Sequence, residues 1–316
     1  MKFLKKNNFT KISGDASFRT FYRGDNSILV FSKKDKNKNL LVYDSVNKIL
    51  LKNNIPAPKL IKENYNQNYI EIEDLGKVQA LKIIKSKKNK KRFFLEIVKV
   101  LIKLQKIKDR KVLNFYGKKY KIPPYDKKKI FAEAKLFVDW FIPFNIKKLD
   151  NSKNRKKFEK IINKLISKLK ISKKVLVHRD FHVSNIMYFK KKMYLIDSQD
   201  AVIGNIAYDL ASLIDDVRYK TNSSLKREIY NYYINKNKNK VSHLDFKNDF
   251  EILSVLRNLK IIGIFTRLAK RDNKKKYLKM IPYCWKLIQN RIIDNVAFQD
   301  LKLFLKKKEF KKYIKF

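Results

Sequence analysis

The chain is 316 residues long and carries 77 Lys and Arg against 29 Asp and Glu, a formal net charge of +48, while 44% of its residues are apolar and 13% aromatic. That apolar content excludes a disordered, charge-driven polymer, and the length suits two lobes better than one ordinary core. The one cysteine, Cys284, excludes an intramolecular disulfide and a multi-thiolate zinc site, and fits a reducing compartment.

The lysines are scattered over the whole length, whereas nucleic-acid recognition favours a clustered patch or stripe. With Arg, Gly and Pro scarce and Asn and Ile frequent, the charge reads as the bias of an AT-rich genome. No specific nucleic-acid partner is expected, only a weak, salt-sensitive attraction to polyanions. The opening MKFLKKNNFTK has positive charge but no apolar stretch after it, and no run approaches about 18 apolar residues. Neither secretion nor a membrane span is expected, so a cytoplasmic location and a monomer are the defaults.

In chain order, FRTFYR (residues 18–23) and SILVFS (27–32) flank Gly24-Asp25-Asn26, a tight-turn sequence, and predict an antiparallel hairpin. LLVYDSVNKILLK (40–52) has helical apolar spacing and stops before Ile55-Pro56-Ala57-Pro58. KLIKENYNQNYIEIEDLG (59–76) reads as two strands around an Asn-rich turn, ending at Gly76. From about residue 92 the pattern changes to amphipathic helices over 92–107, 128–142 and 155–170. The segment VLVHRDFHVSNIMYFKKKMYLIDSQDAVIG then packs short apolar strands between polar loops, before a last helical third. The expected fold is α+β with two lobes: residues 1–78 as a small sheet-and-helix lobe, and residues 79–316 as a larger, mainly helical one.

The chemistry concentrates after the strand KVLV. His178-Arg179-Asp180 follows it directly, with Asn185 five positions beyond Asp180 and Asp197 twelve beyond Asn185, at the end of the strand MYLI. Phosphoryl transfer needs a carboxylate to orient and deprotonate the attacking hydroxyl, and oxygen ligands to hold magnesium on the phosphates. Asp180 suits the first task, and Asn185 and Asp197 the second. An HRD triplet alone recurs by chance; the joint spacing with flanking strands does not.

These residues resemble the aminoglycoside-phosphotransferase and choline-kinase superfamily, whose members have a two-lobed, protein-kinase-like fold. HRDFHVSN is similar to its catalytic loop, and IDSQDAVIGNIAYDLASL (196–213) to its metal-binding segment and following helix. His182 separates this pattern from most protein kinases. Within the superfamily, GDASFRTFYR (14–23), EDLG (73–76), LFVDWF (136–141) and LKIIGIFTRLAKRDNKKKYLKMIP (259–282) resemble the bacterial anomeric sugar kinases. The likeness spans nearly the whole chain. It implies ATP and Mg²⁺ as cofactors and, as substrate, N-acetylmuramate or N-acetylglucosamine phosphorylated at the anomeric hydroxyl in cell-wall recycling. Kinases for another small alcohol, amino alcohol or aminoglycoside share every catalytic residue.

The resemblance also assigns supporting residues. Gly14, Asp15, Ala16 and Ser17 form the phosphate-covering turn, where glycine permits the bend and backbone N–H groups face phosphate oxygens. Arg19 just beyond it either reaches phosphate or caps a solvated strand face. Adenine is received by the backbone at Glu73 and Leu75. His182 and Asp200 are the expected sugar contacts, with Asp139 as a polar residue inside the otherwise apolar stripe Phe137, Val138, Phe141. Asp209 is expected to brace the catalytic loop through backbone hydrogen bonds, and His178 to be a packed scaffold residue and not the general base. One departure stands out: the strand lysine that pairs the phosphates in protein kinases is missing, with Phe31 in the most similar position and Lys33 as a candidate substitute. A second is Ser198, where many relatives carry an aromatic residue. A protein kinase is disfavoured by the missing D-F-G and A-P-E segments, and a basic nucleic-acid binder would leave Asp180, Asn185 and Asp197 unexplained.

Overall fold

Strands β1 (Thr10–Ile12), β2 (Thr20–Arg23), β3 (Ser27–Phe31), β4 (Leu60–Asn64) and β5 (Tyr69–Glu73) form an antiparallel sheet in the order β1-β2-β3-β5-β4. The computed structural model describes residues 9–12, 19–86, 89–237 and 241–315. The expected hairpin is β2 and β3, closed where the Gly24 N–H donates to the Ser27 carbonyl at 2.9 Å. Central β3 is buried on both faces at Ile28, Leu29 and Val30, which is why SILVF can be a nearly continuous apolar run. Its register sets Ile28 opposite Ile72 and Val30 opposite Ile70. Leu40 and Tyr43 of helix α1 (Lys38–Lys52) complete a core with these four side chains. Burying each large apolar side chain there contributes roughly 1.5–3 kcal/mol.

β5 ends because Asp74 redirects the chain. Its Oδ1 accepts the Gly76 N–H at 2.8 Å while Arg23 grips the same carboxylate, Nε to Oδ2 at 2.7 Å. Gly76 takes φ +73°, a backbone region that favours glycine. Helices α2 (Ala80–Ser86) and α3 (Lys90–Lys106) follow, then a hairpin of β6 (Lys111–Leu113) and β7 (Lys119–Lys121).

The chain divides into two compact units, one of residues up to 124 together with 175–203, the other of residues 125–174 with 204–316. Residue 78, the sequence-based lobe boundary, falls inside the first of them. That unit also receives strands β8 (Lys174–Val177), β9 (Ile186–Phe189) and β10 (Lys192–Leu195), the last two an antiparallel hairpin.

The second unit is helical: α4 (Lys127–Leu136), α5 (Ile142–Asn145), α6 (Ser152–Ser167), α7 (Tyr208–Ile214), α8 (Ser223–Lys236), α9 (His243–Lys270), α10 (Ile281–Ile292) and α11 (Gln299–Leu305). α9 is buried on all sides from Ile252 to Ile262, the signature of a central helix. Where the sequence predicts one helix over 128–142, α4 gives way to a π-helical turn at Phe137–Phe141. Pro143 has no N–H to give the Asp139 carbonyl, and Ile142 N–H bonds instead to the Phe137 carbonyl five residues back. Phe137 and Phe141 stack 5.2 Å apart and both meet Trp285 edge-on, so the stripe is core as expected. Trp140 stacks instead on half-exposed Phe144, at 6.0 Å. Gly263 of α9 passes so close to α4 that a Cβ there would lie 2.4 Å from the Leu136 carbonyl carbon and oxygen.

Candidate active site

The apolar strand β8 is buried from Val175 to Val177 and delivers His178, itself 1% exposed. His178 Nε2 lies 3.1 Å from the Ile196 carbonyl oxygen, which fixes that nitrogen as the donor. Burial pushes the imidazole below its ordinary pKa, while the charges of Asp180, Asp197 and Asp200 oppose the shift. Burial thus favours the neutral ring, and the residue is packed, as the sequence suggested.

Arg179 then adopts φ +72°, unusual for a residue with a Cβ, and the chain turns into Asp180. The Asp180 carbonyl oxygen accepts the His182 N–H at 3.0 Å and the Asn185 side-chain Nδ2 at 3.0 Å. Since Asn185 spends its amide NH₂ there, its Oδ1 is the atom left to bind a cation. His182 is 2% exposed, and its carbonyl accepts the Asn185 N–H at 2.9 Å.

The β9–β10 hairpin brings the remaining carboxylate alongside. Leu195 pairs with Ile186, and the Ile196 N–H donates to the Asn185 carbonyl at 3.1 Å. Asn185 and Asp197 therefore flank the base of one hairpin, beside the loop carrying Asp180. Asp197 has φ +64°, a second left-handed non-glycine residue in this small region. Such conformations concentrate at functional sites.

A polar network surrounds Asp197. Its Oδ1 accepts Arg19 Nη2 in a short ion pair and Gln199 Nε2 at 3.1 Å. Gln199 also accepts Arg19 Nη1 at 2.9 Å and donates to Asp200 Oδ2 at 2.9 Å, while Arg179 Nη1 lies 3.5 Å from Asp200 Oδ1. Beneath it, Ser198 is fully buried and donates to Asn47 Oδ1 of α1 at 2.6 Å. A small hydroxyl at 198 thus replaces aromatic packing with a hydrogen bond. Asn47, Gln199, Tyr43 and Arg23 had escaped sequence reasoning. Only the position of Gln199 two residues after Asp197 signalled any of them.

Of the sequence-predicted residues, the first unit brings together Arg19, Asp180, His182, Asn185, Asp197 and Asp200. Glu73 and Leu75 lie in the same unit at the end of β5, Leu75 buried. Gly14, Asp15, Ala16 and Ser17 lie outside the described residues. Lys33 is exposed beyond the end of β3 and Phe31 is half-buried within it. Asp139 belongs to the second unit, its Oδ1 held by Lys135 at 2.7 Å and Arg155 at 3.2 Å. Asp209, wholly buried, lies in the first turn of α7 in the second unit. Among the described residues no three His, Cys, Asp or Glu converge on a metal site. Asn185 and Asp197 offer two hard oxygens, and Asp197 already holds one cation, the Arg19 guanidinium. That donor set fits magnesium, which keeps water and phosphate oxygens as its other ligands.

The sequence profile of the phosphotransferase enzyme family matches residues 8–240, well over half of the chain. The chain belongs to that family. It is 28% identical over 286 residues to the N-acetylmuramate/N-acetylglucosamine kinase of Neisseria meningitidis, covering 86% of this chain and 82% of that one. Identity to the enzyme of the same name from Pseudomonas aeruginosa is 25% over 297 residues, with 92% and 85% covered. Among solved structures, an aminoglycoside phosphotransferase complexed with gentamicin superposes with a TM-score of 0.62 at 14% identity, covering 94% of this chain and 95% of that one. A choline/ethanolamine kinase family protein from Mesorhizobium loti gives 0.59 at 11% identity, with 96% and 90% covered. The α+β fold is thus the protein-kinase-like one, as expected, and this phosphotransferase is an ATP-dependent small-molecule kinase. No helix among the described residues is long and apolar enough to cross a membrane.

Proposed function

We propose that this phosphotransferase transfers the γ-phosphoryl group of ATP to the anomeric hydroxyl of N-acetylmuramate or N-acetylglucosamine, as a cytoplasmic monomer serving cell-wall recycling. The observation that carries the reading is the hydrogen-bonded assembly of Asp180, Asn185 and Asp197 around one strand end and one hairpin base. The names of relatives alignable over most of the chain support the sugar.

In this reading Asp180 accepts the proton of the attacking hydroxyl as its oxygen bonds to the γ-phosphorus and the bond to the bridging oxygen of ADP breaks. An anomeric hydroxyl is more acidic than other sugar hydroxyls, because the ring oxygen withdraws electron density, so a carboxylate suffices as base. Asn185 Oδ1 and the Asp197 carboxylate would hold Mg²⁺, which would neutralise charge on the nucleotide phosphates. Gly14, Asp15, Ala16 and Ser17 cover those phosphates with Arg19, and the backbone at Glu73 and Leu75 receives adenine. His182 and Asp200 contact the sugar. Asp139, the remaining sequence-based candidate for the sugar, lies in the second unit with its Oδ1 held by Lys135 and Arg155.

Product analysis tests this. With Mg-ATP and either sugar, the product should lose its reducing end and carry an acid-labile phosphate. A phosphorylated sugar that still reduces, or turnover confined to choline-like or aminoglycoside acceptors, would defeat the anomeric assignment.

A further inference from the structure

The missing strand lysine leaves open which side chain meets the nucleotide phosphates, and among the described residues of the first unit Arg19 is a buried cation held between a carboxylate, an amide and two aromatic rings. Its side chain is only 2% exposed, against 39% for its partner Asp197. The guanidinium carbon sits 5.5 Å from the ring centroids of both Phe21 and Tyr43. Its two terminal nitrogens divide between Asp197 Oδ1 and Gln199 Oε1. Tyr43 belongs to α1, whose Asn47 anchors Ser198, next to Asp197. One helix therefore supports both the arginine and the segment it binds.

We propose that Arg19 is the resident counter-ion of Asp197: it excludes free magnesium from that carboxylate, and surrenders it only when nucleotide phosphates draw the guanidinium away. Metal and nucleotide then bind as one unit, and Arg19 takes the role of the absent lysine. The proposal rests on the reading of Asp197 as a magnesium ligand. Arginine is charged at every accessible pH, so a divalent cation approaching Asp197 with Arg19 in place meets a like charge at contact distance. A nucleotide di- or triphosphate carries enough negative charge to hold both cations, and its oxygens suit the planar fork of a guanidinium. The faces of Phe21 and Tyr43 keep the released guanidinium nearby.

The test is calorimetric titration of Mg²⁺ alone, and of ADP and adenosine with and without Mg²⁺, against the wild type, Arg19→Met and Arg19→Lys. Arg19→Met keeps a long apolar stem between the two rings and removes the charge. It should bind Mg²⁺ alone at least about tenfold more tightly than the wild type, and ADP about tenfold less tightly, the scale of one charge-assisted hydrogen bond. Adenosine binding should not change. Arg19→Lys keeps the charge without the fork, so it should still exclude free Mg²⁺ while losing ADP affinity. A wild type that binds Mg²⁺ alone as tightly as Arg19→Met overturns the proposal, as do Met and Lys variants that behave alike. Wild-type ADP binding that ignores Mg²⁺ would remove the metal reading itself, and the proposal with it. Thermal melting of each variant separates any of these from a failure to fold.

Discussion

Replacing Asp180 with Asn swaps a proton acceptor for an amide of nearly the same shape. Two hydrogen bonds that shape the loop, from the His182 N–H and from Asn185 Nδ2, end on the backbone carbonyl of residue 180, so the substitution leaves them in place. The fold should therefore be kept, with a melting shift below about 2 °C, corresponding to less than about 1 kcal/mol in a chain of this size. Nor is a neighbouring base ready to compensate, because His178 spends Nε2 on the Ile196 carbonyl and burial already disfavours its protonated form. Turnover should fall about 10²- to 10⁴-fold, the usual worth of a positioned general base, or roughly 3–5 kcal/mol of transition-state stabilisation. A coupled ADP-release assay with each amino sugar measures this, alongside ADP affinity, which should stay at the wild-type value. A correctly folded Asp180→Asn protein retaining more than about a tenth of wild-type turnover would refute the reasoning.

Three more outcomes are expected. Asn185→Ala and Asp197→Ala should both raise the magnesium concentration needed for half-maximal activity, with Asp197 the more severe because it supplies charge as well as an oxygen; unchanged metal dependence in both would place the ion elsewhere. Gly263→Ala should destabilise by about 1–3 kcal/mol despite the better helix propensity of Ala, because the Cβ meets rigid backbone of α4 instead of a flexible side chain; a melting temperature at or above wild type would contradict this. Burial alone would raise the Asp215 carboxyl pKa, but Arg291 and Lys226 beside it overrule that and hold it well below the usual carboxylate range. A depressed folded-state pKa gives stability that is present above about pH 4–5 and declines as pH falls further. Asp215→Asn should cost about 3–5 kcal/mol at neutral pH by stranding its two cations, and should flatten the acid limb of a urea-midpoint profile; an unaltered limb would count against the pair.

The grouping of Asp180, Asn185 and Asp197, the proposed base and metal ligands, was legible because one strand, one turn and one hairpin place them and local spacing encodes all three. The hairpin of β2 and β3 was legible from its turn, and α1 from its period. What stayed hidden depends on partners far apart in the chain. Arg19 reads equally as a surface cap or a phosphate ligand until Asp197, 178 residues later, is seen against it. Ser198 looked like a loss of packing until Asn47, 151 residues earlier, supplied its hydrogen bond. The π-helical turn escaped because apolar spacing continues smoothly through it, although Pro143 marks where the regular ladder fails. Gly263 carries no sign in the sequence of the backbone crossing that excludes a side chain.

The first unit is made from two stretches of chain with fifty residues of the second unit threaded between them, 125–174. A ribosome releases residues from the N-terminus onward, so the sheet and α1 emerge well before the strand and hairpin that finish their unit. Until residues 197 and 198 are clear, Arg19 lacks Asp197 and Asn47 lacks Ser198. A nascent or truncated product ending near 124 would lack the proposed base Asp180 and the proposed metal ligands Asn185 and Asp197, and would leave a buried-type arginine facing solvent. Such a fragment should be a client for chaperones and proteases and not a partial enzyme, which makes completion of synthesis, and not docking of a preformed half, the step that creates the reaction centre.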